Sequence, residues 1–319
     1  MLMASDTWET RPRADADRAA WDGQSRVHSD VNSRQPRGPR WNQAVHPGRC
    51  HTPRVSDPRR PSLAVIGGSG FYSFLDDVEH VELSTPFGDP SAPVTIGSVG
   101  ERTVAFLPRH GVHHELPPHL INYRANIWAL RSLGVRHIFG PCAVGGLSAD
   151  LTPGEMVVPD QLVDRTTSRT QTFYDSGAVH APFSDPYCPA LRGALLARDG
   201  RARDGGTMVI IEGPRFSTRA ESQSFAAAGW SLVNMTGHPE AVLARELGVC
   251  YAALALVTDL DAGVDAQAAV HQGAVFATFA QHIDWMKELL SGAIADLDDQ
   301  PDCSCSAWLQ DVTLPFVLS

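Results

Sequence analysis

Eight consecutive residues, Cys250 to Val257, carry no charge and no polar group except the phenol of Tyr251, and the run stops at Thr258-Asp259-Leu260-Asp261. A strand with one face in water alternates apolar and polar residues, so a strand-length run without alternation must be covered on both faces. Leu63 to Ile66, Val135 to Phe139, Met156 to Val158 and Thr207 to Ile211 read as further strands, with Ser231 to Met235 extended. Val94 to Val99 and Arg102 to Leu107 read as a hairpin around Gly100. Between these lie helical stretches. Leu120, Tyr123, Ile127, Leu130 and Leu133 recur at helical spacing, and Tyr187 to Arg198, Thr218 to Ala228 and Pro239 to Leu247 follow. Val270 to Leu297 closes the pattern as one long helix or two. Strands alternating with helices predict a single α/β domain with a central mixed, largely parallel sheet flanked by helices.

That domain is expected over residues 62–297. Residues 1–61 hold eleven Arg and seven acidic residues with many Pro and few aliphatics. Such a segment buries too little apolar surface to offset the entropy of ordering, and it reads as a disordered Arg/Pro-rich extension without a catalytic role. Residues 298–319 show no clear period and read as a C-terminal tail. The net charge of −10 argues against a general affinity for nucleic acid, whose phosphates are gripped by clustered cations. No apolar run approaches the length of a membrane span, and the first 30 residues lack a secretory signal's apolar stretch, so the expected location is cytoplasmic. Six cysteines in a chain of 319 residues are no disulfide framework. Cys142 and Cys250 read as core residues, and Cys303-Ser304-Cys305 as two free thiols on the tail, with a strained, reducible pair as the alternative.

Three segments could carry chemistry. Gly67-Gly68-Ser69-Gly70 follows the first buried strand; glycines let successive N–H groups approach an anion, and the serine hydroxyl adds a donor. It is neither a dinucleotide fingerprint nor a Walker loop, and a plain tight turn is the competing reading. The chain has a single lysine, Lys287, so a bound phosphate must rely on Arg, hydroxyls and backbone. Leu107-Pro108-Arg109-His110-Gly111 supplies an arginine at a strand end, expected outside the core and open to fork onto phosphate oxygens. His113 and His114 stand nearby, but neither an HExxH pair nor a Cys/His quartet is legible, and no metal is expected. Asp259 and Asp261, at alternate positions of the apolar strand, point to one side at the sheet edge where ligands of open α/β sheets bind. They could accept hydrogen bonds from a nucleobase amino group and protonate a ring nitrogen. A helix N-cap is the competing structural reading, and glycoside hydrolysis the competing chemical one.

In order along the chain, Ile66-Gly67-Gly68-Ser69-Gly70, Leu107 to Gly111, Asn122 to Leu130, Glu212 to Glu221 and Asn234-Met235-Thr236-Gly237 together resemble the trimeric purine nucleoside phosphorylases, specifically their 5′-methylthioadenosine branch. The resemblance implies phosphorolysis of 5′-methylthioadenosine to adenine and 5-methylthioribose 1-phosphate in a homotrimer, with phosphate as co-substrate and no cofactor. It implies a phosphate site of Ser69, Arg109, His110, the Ala143 backbone and Thr236. The ribose would lie across Met235 with His180 near the sugar, and the base against Phe216, Ser217, Asp259 and Asp261. Asp259 and His110 would be the catalytic pair, Asp259 supplying or relaying the purine N7 proton. Two carboxylates accept from a 6-amino group, so adenine is favoured over 6-oxo bases. The sequence departs from the family pattern at Cys142, where a hydroxyl residue is usual, and at Gln272 or His271, near the residue that meets the 5′ substituent. Thr236 to Glu240 resembles the methylthioinosine enzymes equally, which keeps methylthioinosine and ordinary purine nucleosides as alternative substrates.

Overall fold

The computed structural model describes residues 60–68, 70–71, 74–264, 269–299 and 301–317. The expected extension lies almost wholly outside these residues, as does Ser69. Described structure begins two residues ahead of the expected boundary. Arg60 Nε donates to Leu133 O at 2.9 Å, meeting a carbonyl at a helix C-terminus.

Chain order runs β1 (Leu63–Gly67), β2 (Asp76–Val81), β3 (Val94–Val99), β4 (Arg102–Pro108), α1 (Tyr123–Leu133), β5 (His137–Gly146), β6 (Met156–Val158) and β7 (Gln161–Arg165). It continues with α2 (Pro189–Leu196), β8 (Arg203–Asp204), β9 (Thr207–Ile211), α3 (Arg219–Ala227), β10 (Leu232–Asn234), α4 (Gly237–Glu246), β11 (Cys250–Leu260) and α5 (Gln272–Asp296). The mixed sheet runs β2-β3-β4-β1-β5-β10-β9-β7, with β11 on β5 and β6, and β8 on β6. β4, β1, β5 and β11 are mutually parallel, so their C-terminal ends share one edge.

The period of two in each central strand divides the core into two layers. Tyr251, Ala253, Ala255 and Val257 of β11 pack with α1 and α4, alongside Ala64 and Ile66 of β1. Ala252, Leu254 and Leu256 pack with α2 and α5, alongside Leu63 and Val65. This two-sided burial is why β1 and β11 read as unbroken apolar runs.

Where the structure departs from the sequence reading, local causes are visible. β5 extends seven residues past Phe139, through Gly140-Pro141, a pair that reads as a breaker. Gly140 is needed because a Cβ there would lie 2.0 Å from the Tyr251 hydroxyl on the neighbouring strand. α1 starts at Tyr123, capped by the Asn122 side chain accepting from Ala125 N; Leu120 ends a separate 3-10 turn and is 62% exposed. β2 is exposed along nearly all its length and offers no apolar pattern to read. α5 is one helix. Much of the segment expected as a tail is docked. Cys305 is buried, Trp308 Nε1 donates to Arg245 O, and Phe316 stacks on Tyr174 with centroids 5.6 Å apart.

Gly140→Ala is expected to destabilise the fold by about 1–3 kcal/mol, the usual cost of overpacking a filled core. Urea denaturation checks this, and a midpoint equal to wild type would show that Tyr251 has room to move.

Candidate active site

Arg109 follows β4 but is not the open cation expected from the sequence. It is 2% exposed, and its guanidinium lies beneath the strand ends. Nε and Nη2 donate to Glu240 at 2.7 and 2.8 Å, Nη2 also to Ile66 O at 2.7 Å, and Nη1 to Pro141 O at 3.2 Å. A guanidinium has five N–H groups. Four are therefore committed within the protein, and one Nη1 N–H remains for a ligand. The Tyr251 hydroxyl donates to the same Glu240 at 2.7 Å. Glu240 itself is 1% exposed on the first turn of α4. The partner cancels most of the positive charge that Arg109 was expected to offer an anion.

His110, the next residue, places Nδ1 2.9 Å from Leu116 O. A carbonyl oxygen only accepts, so Nδ1 carries the hydrogen and Nε2 keeps a lone pair. Burial, reinforced by the Arg109 charge, lowers the imidazole to about 4, so the ring is neutral at physiological pH. It stacks on His114 at 4.4 Å, and His114 meets Phe276 of α5 edge-on at 5.8 Å, bringing the first turns of α5 to this end of the site. His271 and Gln272 are exposed at the start of that helix.

Thr236 and Ala143 are joined by Asn234, a residue the sequence reading left without a role. Asn234 Oδ1 accepts from the N–H groups of Thr236 and Gly237, both at 2.8 Å, and its Nδ2 donates to Ala143 O at 3.0 Å. The amide thus ties the N-terminus of α4 to the middle of β5. Burial pushes the neighbouring Cys142 thiol up to about 12, which keeps it a neutral thiol.

Asp259 and Asp261 stand together over Gly145, where an added Cβ would lie 3.3 Å from Asp259 Oδ1 and from Asp261 Cβ. The β5–β11 register slips between Val257 and Asp259, and this bulge turns the Asp259 side chain at the strand end. Asp259 Oδ2 accepts from the Thr258 hydroxyl at 2.8 Å. Asp259 Oδ1 and Asp261 Oδ2 are buried with no hydrogen-bond partner among the described residues, and Ser217 Oγ shares that condition. Burial first, and the Asp261 charge with it, raise the Asp259 carboxyl above its ordinary range against the opposing Thr258 hydrogen bond. No helix starts at Asp259 or Asp261, which removes the capping reading.

The loop bearing Phe216 and Ser217 is anchored toward these carboxylates. Arg219 Nη1 donates to Ala262 O at 2.9 Å, and Gly263 N donates to Ser222 Oγ at 2.9 Å. Thr218 caps α3 in a reciprocal box with Glu221, which fixes where the Phe216-Ser217 turn meets the helix. Met235 approaches the other side of this loop; a Cβ on Gly213 would lie 2.7 Å from its sulfur. Buried Arg169 holds the same turn, donating to Glu212 O at 2.6 Å and His238 O at 2.5 Å. Phe216 is 37% exposed, as a ring reserved for a stacking partner would be. His180 is exposed between β7 and α2, and among the described residues no hydrogen bond or ion pair ties it to the others. A cavity of about 740 Å³ adjoins the Glu212-Gly213 turn but is lined by Arg165, Thr167, Arg215 and Glu221, and by none of the expected site residues.

Sequence reasoning missed Glu240, Asn234, Tyr251 and Arg169. Glu240 reads locally as a first-turn helix acid and Tyr251 as a core aromatic, because the ion pair they share depends on Arg109, 131 residues before Glu240.

Comparison with known proteins places the chain in a family. Residues 62–295 match the profile of the phosphorylase superfamily. The chain is 60% identical over 257 residues to an S-methyl-5′-thioadenosine phosphorylase of Mycobacterium tuberculosis, covering 80% of this chain and 97% of the relative. It is 52% identical over 265 residues to a purine nucleoside phosphorylase of Streptomyces coelicolor, covering 78% and 95%. Among solved structures, the methylthioadenosine phosphorylase of Schistosoma mansoni in complex with adenine superposes with a TM-score of 0.72 at 36% identity, over 78% of this chain and 94% of the other.

Two outcomes follow. Arg109→Ala leaves Glu240 as an unpaired buried charge, so it is expected to cost about 3–5 kcal/mol of stability besides any loss of phosphate affinity. A denaturation midpoint unchanged from wild type would contradict the burial. For His110, the unfolded chain gains a proton near pH 6.5 that the folded chain refuses until about pH 4, so stability falls as pH drops through that window. His110→Asn keeps a donor for Leu116 O and should flatten that acid loss by up to about 3 kcal/mol. Urea midpoints between pH 7 and 4 measure it.

Proposed function

The chain belongs to the phosphorylase superfamily, and we infer from its site that it cleaves 5′-methylthioadenosine with phosphate to give adenine and 5-methylthioribose 1-phosphate. The observation that carries this is the pair of buried carboxylate oxygens on Asp259 and Asp261 that have no partner among the described residues, a condition the Ser217 hydroxyl shares. Buried acceptors without donors cost free energy until a ligand supplies N–H groups. An adenine presents two such hydrogens on its 6-amino nitrogen, with a protonatable N7 adjacent. A carboxyl raised by burial is suited to lend that proton as the glycosidic bond breaks, and proton transfer of this kind contributes roughly 10²–10⁴ in rate. Phe216, exposed on its loop, would stack on the base, with Met235 against the sugar.

We propose that phosphate binds at the other end, between Thr236, His110, the backbone of Ala143 and the glycine turn that includes Ser69. Arg109 contributes its one remaining N–H. With Arg109 neutralised by Glu240 and His110 uncharged, this subsite offers hydrogen bonds and little formal positive charge. The phosphate therefore keeps its negative charge for the ribosyl cation that develops as the bond opens, then attacks it at C1′. His110 Nε2, with its lone pair free, accepts the hydrogen of a monoprotonated phosphate and turns the ionised oxygens toward the sugar. No cofactor takes part. We propose a homotrimer acting in the cytoplasm, with His180 completing its role near the sugar in the assembled enzyme. Among the described residues no helix is long and apolar enough to cross a membrane.

A second reading keeps the chemistry and changes the substrate to methylthioinosine or ordinary purine nucleosides. It is supported by the Streptomyces coelicolor relative named a purine nucleoside phosphorylase. Relative kcat/KM on methylthioadenosine, methylthioinosine, adenosine and inosine with excess phosphate distinguishes the two.

Asp259→Asn preserves shape, removes the acid and presents an amide able to donate to a 6-oxo group. Its kcat on methylthioadenosine is expected to fall by about 10²-fold or more, with kcat and kcat/KM falling together. Relative kcat/KM should shift toward methylthioinosine. Full methylthioadenosine turnover in this variant, without gain on 6-oxo substrates, would remove Asp259 from the base site.

A further inference from the structure

Four cysteines from three separate stretches of chain meet at the end of β11 opposite the candidate site. Cys188 caps the N-terminus of α2, Cys250 opens β11, and Cys303 and Cys305 belong to the docked C-terminal segment. All four sulfurs lie within 4.8 Å of one another, and all four are free thiols. Cys188, Cys250 and Cys305 are buried and Cys303 is half-buried. Cys250 Sγ and Cys303 Sγ are 3.3 Å apart.

We propose that this cluster is a structural zinc site of four thiolates that fastens the C-terminal segment to the sheet. Zinc–sulfur bonds of about 2.3 Å place tetrahedral sulfurs roughly 3.8 Å apart, within the spacing present here. The sulfurs form one group of four instead of two separate pairs, and thiol groups offer one another only weak hydrogen bonds. Coordination replaces those weak contacts with bonds to a divalent cation. Tetrahedral four-sulfur sets select zinc or iron, and a closed set with no open position marks a structural role. The surroundings offset the net negative charge of such a centre. Arg245 Nη2 stands 3.9 Å from Cys305 Sγ, and Cys188 sits at a helix N-terminus, where the backbone favours a thiolate. Each thiol releases its proton on binding, and no electron transfer is involved. Nine residue steps of β11 separate Cys250 from Asp259, about 30 Å of strand, so the metal takes no part in the transfer of the ribosyl group.

The test uses the full chain purified from zinc-supplemented, reducing medium without added chelator. Elemental analysis is expected to find one zinc per chain, and cobalt exchange to give the charge-transfer absorption of a tetrahedral thiolate complex. Cys303→Ser and Cys305→Ser should each lower zinc retention by about tenfold or more, since losing a ligand costs at least as much as losing an outer-sphere partner. Chelation should lower the Tm of wild type by about 5–10 °C and leave the two variants unmoved. If Cys305→Ser fails to fold, half-buried Cys303 and the cobalt spectrum of wild type still decide the matter. A zinc-free wild type whose Tm ignores chelator overturns the proposal. So does an unreduced mass short by two hydrogens per bridge, which would make the cluster disulfides, or stoichiometric iron in zinc's place.

Discussion

The buried ion pair between Arg109 and Glu240 ties the end of β4 to β1, β5, α4 and β11. The guanidinium reaches the carbonyls of Ile66 on β1 and Pro141 on β5, the carboxylate sits on α4, and Tyr251 adds a hydrogen bond from β11. Two charges removed from water are held only if their geometry and remaining hydrogen bonds are complete, and here they are nearly so. Gly140 is bare because the Tyr251 hydroxyl needs the space a Cβ would take. The pair therefore sets the relative positions of β1, β4, β5 and β11 and of the first turn of α4. Breaking it would disturb the site before any ligand arrives.

This arrangement also shapes the chemistry. Arg109 is compensated by Glu240 and His110 is a neutral imidazole, so this end of the candidate site offers hydrogen-bonding groups and little formal charge. At the other end, two carboxylates share a bulged strand terminus beside Gly145, and burial with mutual repulsion raises Asp259. One end thus carries little net charge, and at the other burial disfavours the charged form of a carboxyl. The Phe216-Ser217 loop is tied to that second end through Arg219 and Gly263, and to Met235 through Gly213, so these residues share one support.

β11 links these features to the rest of the fold. Its C-terminal end carries Asp259, its middle is buried on both faces, and its N-terminal end carries Cys250 among three other cysteines. The C-terminal segment, with Cys305, Trp308 and Phe316, closes over that far end and over the aromatic group of Trp128, Phe173 and Tyr174. Stability is thereby concentrated away from the loops that must admit a nucleoside.

Local pattern by itself determined the strand–helix alternation, the two-faced burial of β1 and β11, and the placing of Asp259 and Asp261 at a strand end, because periodicity and run length are short-range properties. The order of the motif blocks likewise sufficed to mark the family, since five of them in register leave few other candidates. What lay beyond it were partnerships across the sheet. Arg109 reads as an open cation until Glu240, 131 residues later, is folded against it. Gly140-Pro141 reads as a break until β11 pairs alongside, and β2 has no apolar signal to detect. Cys303 and Cys305 read as thiols on a tail because the spacing between them and Cys188 or Cys250 follows no short motif. Each depends on contacts between residues far apart in the chain, and only the tertiary fold brings those residues within reach of one another.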